Sequence, residues 1–166
     1  LPIVANCQLK REDMTEEEFK ARTKGAALEV IELVEGLPRS RAAEHFGRQL
    51  LRSSSSVAAN YRAVCRARSD AEMAAKLGIV EEEADESIFW MEMVVDAGIV
   101  QRSSVEALDR EYSEILAMTV ASRKTIRRKI DREGSVIRES LAEDGQEVLE
   151  ESALVTNRQS AIGNRK

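Results

Sequence analysis

Apolar and small residues recur along this chain at steps of three and four, and they do so in four successive segments. That spacing gathers each set on one stripe of an α-helix and leaves the opposite side polar. The first stripe carries Phe19, Thr23, Ala26, Val30, Leu33 and Leu37, and it stops at Gly36, Leu37 and Pro38. Its start is marked by MTEEEF, where Thr15 stands as an N-cap and Glu18 three residues on completes a capping box. The second, from about Ser40 to Ala67, sets Ala43, Phe46, Leu50, Ser54, Val57, Tyr61 and Val64 on one side. The third runs from about Asp70 to Ala97 behind Ser69 as cap, carries Met73, Leu77, Val80, Ala84, Ile88, Met91 and Val95, and stops at Gly98. The fourth follows Ser103 or Ser104 as cap and repeats Val105, Leu108, Tyr112, Ile115, Thr119, Ser122 and Ile126.

Composition supports the same reading. The 166 residues are one domain's worth of chain, 43% hydrophobic and 33% charged, with 2 prolines, 8 glycines and 4% aromatics. Such a chain is built for long helices. Four amphipathic helices with short joints pack most economically as an all-α, antiparallel up-down-up-down four-helix bundle. Gly78 inside the third helix costs about 1 kcal/mol against alanine, which points to a close helix contact there.

The bundle is expected over residues 14–132. Residues 1–13, which open on Leu1 rather than Met, read as an N-terminal extension. Residues 133–166 read as an acidic tail, partly helical or disordered. Within it, Ser135 to Leu149 carries a weak helical signal broken by Gly145, and NRQSAIGNRK from Asn157 has no apolar periodicity. The acidic segment either folds back on the basic RKTIRRKIDR at Arg123 to Arg132 or stays solvated.

Several classes of chemistry find no support. Cys7 and Cys65 are far apart and in different kinds of segment, so neither a metal pair nor a disulfide framework is suggested, and a reducing compartment fits. No apolar run approaches the roughly 18 residues that cross a bilayer, and no basic stretch precedes LPIVANCQ as in a secretory signal. The cytoplasm is the expected location. His45 is the single histidine, so the paired Glu-x-x-His motifs of a ferritin-like di-metal site are missing, and His45 itself reads as a surface or rim residue. Glu81, Glu82, Glu83, Asp85 and Glu86 spread around most of a helix turn, which suits a solvated face better than one ion. The run Ser53 to Ser56 reads as close packing of the second helix rather than as a nucleophile. No glycine-rich phosphate loop is present. No catalytic, cofactor-binding or metal-binding residue is assigned, and an enzyme is not expected.

Two polar features remain. At about 100° per residue, Arg41, Arg48, Arg52, Arg62 and Arg66 fall within a quarter turn of one another on the second helix, opposite its apolar stripe. Such a row meets solvent, the acidic third helix of a neighbouring subunit, or the phosphates of RNA or DNA. The net charge of −5 disfavours the last. Asn60 sits at the border of the apolar stripe, where it either faces water or fixes register or assembly state as a partly buried amide.

The segments AANYRAVCRARS at Ala58 to Ser69 and KLGIVEEEADESIFWMEMVVDAGI at Lys76 to Ile99 are similar to the end of helix two and to helix three of a known family. It is the four-helix bundle protein family named for open reading frames in intervening sequences of bacterial 23S rRNA genes. The resemblance covers about Lys20 to Lys129 and implies an antiparallel four-helix bundle. Because several members form ring-like homopentamers, it also implies a homo-oligomeric scaffold or adaptor. More distantly the chain resembles the accessory variability determinant of diversity-generating retroelements, a basic pentamer that binds a reverse transcriptase and nucleic acid. That likeness implies the alternative of an RNA- or DNA-binding accessory protein, from which this chain departs in being acidic.

Overall fold

A computed structural model describes residues 14–163, with side chains as far as residue 136 and at Arg138. It contains α1 (Glu16–Glu35), α2 (Arg41–Val64), α3 (Asp70–Asp96), a single 3-10 turn (Arg102–Ser104) and α4 (Glu106–Gly163), with no strand among the described residues. The chain divides into two compact units, one running to Arg127 and the other beginning at Arg128.

The helix ends are set by local chemistry. The Thr15 hydroxyl accepts the Glu18 N–H at 3.2 Å while the Glu18 carboxylate accepts the Thr15 N–H at 2.6 Å, the reciprocal capping box. The Thr15 N–H, and the Thr15 hydroxyl that donates to the same carboxylate at 2.8 Å, hold the Glu18 carboxyl below its usual range. Ser40 and Ser69 cap α2 and α3, each hydroxyl accepting at 3.1 Å from an N–H three residues on. At the end of α3, Gly98 takes the left-handed conformation at φ 65°. The Gly98 N–H then reaches the Val95 carbonyl and the Ile99 N–H the Val94 carbonyl, a Schellman arrangement that suits glycine.

The start of α4 differs from the expected serine cap. Ser103 and Ser104 lie in the 3-10 turn, and the helix begins at Glu106 with the Val105 carbonyl accepting the Asp109 N–H at 2.8 Å. Val105 is fully buried, and seating it in the core tightens the residues ahead of it into a turn.

Contacts between neighbouring helices run in opposite directions along the chain. Between α1 and α2, Phe19 meets Tyr61 edge-on at 4.5 Å, while Val34, further along α1, lies over Gly47, earlier on α2. Between α2 and α3, Phe46 stacks with Trp90, and Ser53 meets Ser87. The bundle is therefore antiparallel. Its centre is a single cluster in which Phe19, Leu50, Tyr61, Leu77, Met91, Tyr112 and Ile115 are fully buried. Burial pushes the Tyr112 phenol well above its ordinary range, the Ser54 hydroxyl offsetting part of the effect.

Small residues make the close approaches. Ser53 and Ser54 are fully buried, and the Ser87 hydroxyl lies 2.9 Å from that of Ser53 across the α2–α3 seam. Gly47 has no room for more, since a Cβ there would stand 2.9 Å from Val34 Cγ1. Gly78 does mark a close contact, but with one long side chain: Arg123 of α4 crosses it, with Nη1 3.1 Å from where a Cβ would be. Of the expected stripes, Leu33, Leu37, Phe46, Ile88, Val95 and Ile126 are only half-buried.

In the second unit α4 is helical through Gly163, including Gly134, Gly145 and the stretch from Asn157. No proline interrupts it, and helix-favouring Glu, Arg, Leu and Ala dominate. Most of the side chains by which this stretch would meet anything else lie outside the described residues, as do residues 1–13 with Cys7.

Candidate interaction surface

Arg41, Arg48, Arg52 and Arg62 lie on α2, whereas Arg66, expected on the same helix, falls in the turn after its end at Val64; all five are exposed, but they divide into two kinds. Arg52 turns toward α3, where Nη2 donates to both Glu86 oxygens at 2.5 and 2.7 Å and Nη1 stands 3.9 Å from Glu83. The Glu86 carboxylate raises the Arg52 guanidinium above its usual value, with a smaller contribution from Glu83. The pairing lies within one chain, so Arg52 is engaged before any neighbour arrives. Arg48 stands 4.0 Å from Glu44, with both side chains largely exposed, a geometry of little energetic weight. Arg41, Arg62 and Arg66 have no ion pair among the described residues.

The acidic run of α3 is divided in the same way. Glu81 meets Arg123 of α4, with Nε 2.8 Å from Oε2, and Glu83 and Glu86 face Arg52. These three are half-buried, which corrects the expectation of a wholly solvated face. Long arginine side chains from both neighbouring helices reach the flanks of α3, a tertiary pairing that spacing on one helix does not reveal. Glu82 and Asp85 remain exposed. Among the described residues no group of three His, Cys, Asp or Glu side chains is placed to hold a metal ion.

Asn60 is half-buried, and its amide is satisfied inside its own helix. Nδ2 donates to the Ser56 carbonyl at 2.9 Å and to the Ser56 hydroxyl at 3.0 Å. It reaches no other helix through these bonds.

An aromatic cluster on the α2–α3 side was not singled out by the sequence reading. Trp90 stacks on Phe46 at 5.9 Å and receives the edge of Phe89 at 4.9 Å, while His45 stands edge-on to both Phe46 and Trp90. Trp90 Nε1 donates to Glu86 at 2.9 Å, so one carboxylate holds both the indole and Arg52. The indole and the guanidinium together keep the Glu86 carboxyl below its usual range. A signal was present in the sequence: Ile88 and Met91 lie on the inward stripe, so Phe89 between them has to face away from it. His45 is exposed, as expected of a rim residue.

No described helix is long and apolar enough to cross a membrane. The arrangement sets exposed arginines on α2, exposed carboxylates on α3 and aromatic rings from both helices at the surface. Comparison with known proteins gives the chain its kin. A solved structure from Bacteroides thetaiotaomicron, described as a protein with unknown function from the S23 ribosomal protein family, is 26% identical in sequence, with a TM-score of 0.62. The match covers 67% of this chain and 99% of that one. No curated protein matches. The family model for 23S rRNA-intervening sequence proteins matches residues 16–121, a span that takes in α1, α2, α3 and most of the bundle part of α4. The chain belongs to the 23S rRNA-intervening sequence protein family.

Proposed function

We propose that this protein is a non-enzymatic cytoplasmic scaffold or adaptor that works as a homo-oligomer, in which the arginines of α2 face the acidic side of α3 in a neighbouring copy. The observation that carries the reading is the separation of free charge. Arg41 and Arg62 on α2, and Arg66 in the turn just after it, have no ion pair among the described residues, and Glu82 and Asp85 on α3 have none there either. Opposite charges on two different faces of one molecule make it complementary to a second copy of itself. Five copies is the expected ring size, by the likeness to ring-forming members of the family.

One observation favours a second reading, an RNA- or DNA-binding accessory protein. Arg62 near the end of α2 and Arg66 in the turn after it, neither in an ion pair among the described residues, are also charges that phosphates would attract. The native mass of the assembly, with any copurified RNA, separates the two. If the row serves assembly, Arg62→Glu with Arg66→Glu shifts the native mass toward monomer. If it follows phosphates, the oligomer stays intact while a binding signal that weakens steeply with salt is lost. Tight, salt-sensitive RNA binding that disappears in an intact mutant oligomer would overturn the scaffold reading.

A further inference from the structure

The chain has six aromatic residues, and they fall into two sets. Phe19, Tyr61 and Tyr112 are fully buried in the core. Phe46, Phe89 and Trp90 are together in one surface cluster, joined by the only histidine. Phe89 is its outermost member at 47% exposed. A single exposed phenylalanine calls for no explanation, whereas a contiguous aromatic patch marks a contact site. Phe89 is also held in place, packed on Trp90, which is in turn fixed by Phe46 and by the hydrogen bond to Glu86. A pre-positioned ring loses little conformational freedom when covered, which is the character of an interface anchor.

The surroundings of Phe89 state what can cover it. On the same outward side of α3 stand Glu82 and Asp85, two turns and one turn before it, and Glu92 and Asp96, one and two turns after. All four are exposed, and none has an ion pair among the described residues. A nucleic acid would bring phosphates against four carboxylates, so the rings are not a base-stacking platform. The occupant has to be basic, and a guanidinium over an aromatic face is the pairing that suits both the ring and its rim. This chain carries that complement itself, on the outer side of α2.

We infer that Phe89 is the anchor of the contact between copies, seated against the α2 arginines of a second copy, with Glu82, Asp85, Glu92 and Asp96 as its charged rim. The inference rests on the homo-oligomeric reading above and names the surface through which that oligomer forms. Because the two faces differ, the contact is heterologous, and it closes as a ring or runs on as a filament rather than forming a two-fold pair.

The test compares native masses at equal concentration for the wild type and three variants, each checked for unchanged helicity by circular dichroism. Phe89→Ser alone, at a position outside the core, is expected to shift the assembly toward monomer, with at least a tenfold weaker association. Glu82→Arg with Asp85→Arg is expected to dissociate it as well. Combining that pair with Arg62→Glu and Arg66→Glu exchanges both charges and is expected to restore the wild-type mass, a recovery that loss of fold could not produce. An oligomeric wild type whose mass survives Phe89→Ser, or a charge exchange that fails to recover assembly, overturns this inference and leaves the oligomer standing. A monomeric wild type overturns the homo-oligomeric reading itself, and with it the second copy as occupant.

Discussion

Glu86 joins three parts of the surface: it accepts from the Trp90 indole, receives the Arg52 guanidinium, and so ties α2 to α3 beside the aromatic cluster. Both partners favour the charged carboxylate and hold it below the ordinary value of 4.5. An acid depressed on folding stabilises the native state at neutral pH, and that contribution is lost as pH falls through the depressed value. Trp90 is the only tryptophan, so its emission reports the event. The emission is expected to change with a midpoint below 4.5, and Glu86→Gln to remove that step while leaving neutral-pH helicity in place; an unchanged titration in the variant would refute the linkage. Deeper in the bundle, Ile115 is fully buried midway along α4, so Ile115→Ala costs about 2 to 5 kcal/mol. Glu114 beside it is exposed and pairs with Arg22 at 2.6 Å, so Glu114→Ala costs about 1 kcal/mol or less. Denaturation midpoints of the two variants check the difference. The burial of Ile115 was legible from its seven-residue spacing to Leu108 and Ser122, whereas the bonds of Glu86 were not, because both α2 and α3 have to be in place before Arg52 can reach it.

At the scale of the helices, most of what the sequence carries is local and therefore readable. The Thr15–Glu18 capping box and the Gly98 stop are each written within a few residues, and the structure has both. What was missed depends on the neighbour across a seam. Gly47 reads as an unfavourable helix residue until Val34 and Leu37 are seen above it, and Ser87 reads as a polar interruption until Ser53 is seen opposite. The contrast between two helical glycines makes this testable. Gly25 has nothing within 4 Å of a Cβ, so Gly25→Ala is expected to stabilise by up to about 1 kcal/mol through helix propensity alone. Gly47→Ala gains the same propensity but drives a Cβ to 2.9 Å from a β-branched side chain, which has few ways to move. Overpacking of that kind costs about 1 to 3 kcal/mol, so the net effect is a loss. Thermal melts in which Gly47→Ala is the more stable of the two variants would show that α1 and α2 do not approach so closely there.

For the whole molecule, the question is how much chain the bundle needs. Isolated helices shorter than about 12 to 15 residues are marginal in water, and longer ones in proteins still draw most of their stability from packing. Among the described residues every buried core residue lies between Phe19 and Ser122, and the ion pairs that join α4 to α1 and α3 end at Arg123. Arg22, which reaches both Glu111 and Glu114, is raised further above its ordinary value by those two carboxylates, so the first and last helices of the bundle are tied by charge as well as by packing. A fragment from Met14 to Arg132 contains all of these contacts together with the caps of α1, α2 and α3. It is expected to fold alone, with an almost entirely helical circular dichroism spectrum and one cooperative melt. It also contains the α2 arginines and the Phe89 surface, so it is expected to assemble to the same number of copies as the full chain. Appreciable strand signal or a gradual melt would show that the bundle draws on residues outside the fragment. A cooperative but monomeric fragment, beside an oligomeric full chain, would instead place the contact between copies in the removed residues and away from α2 and α3.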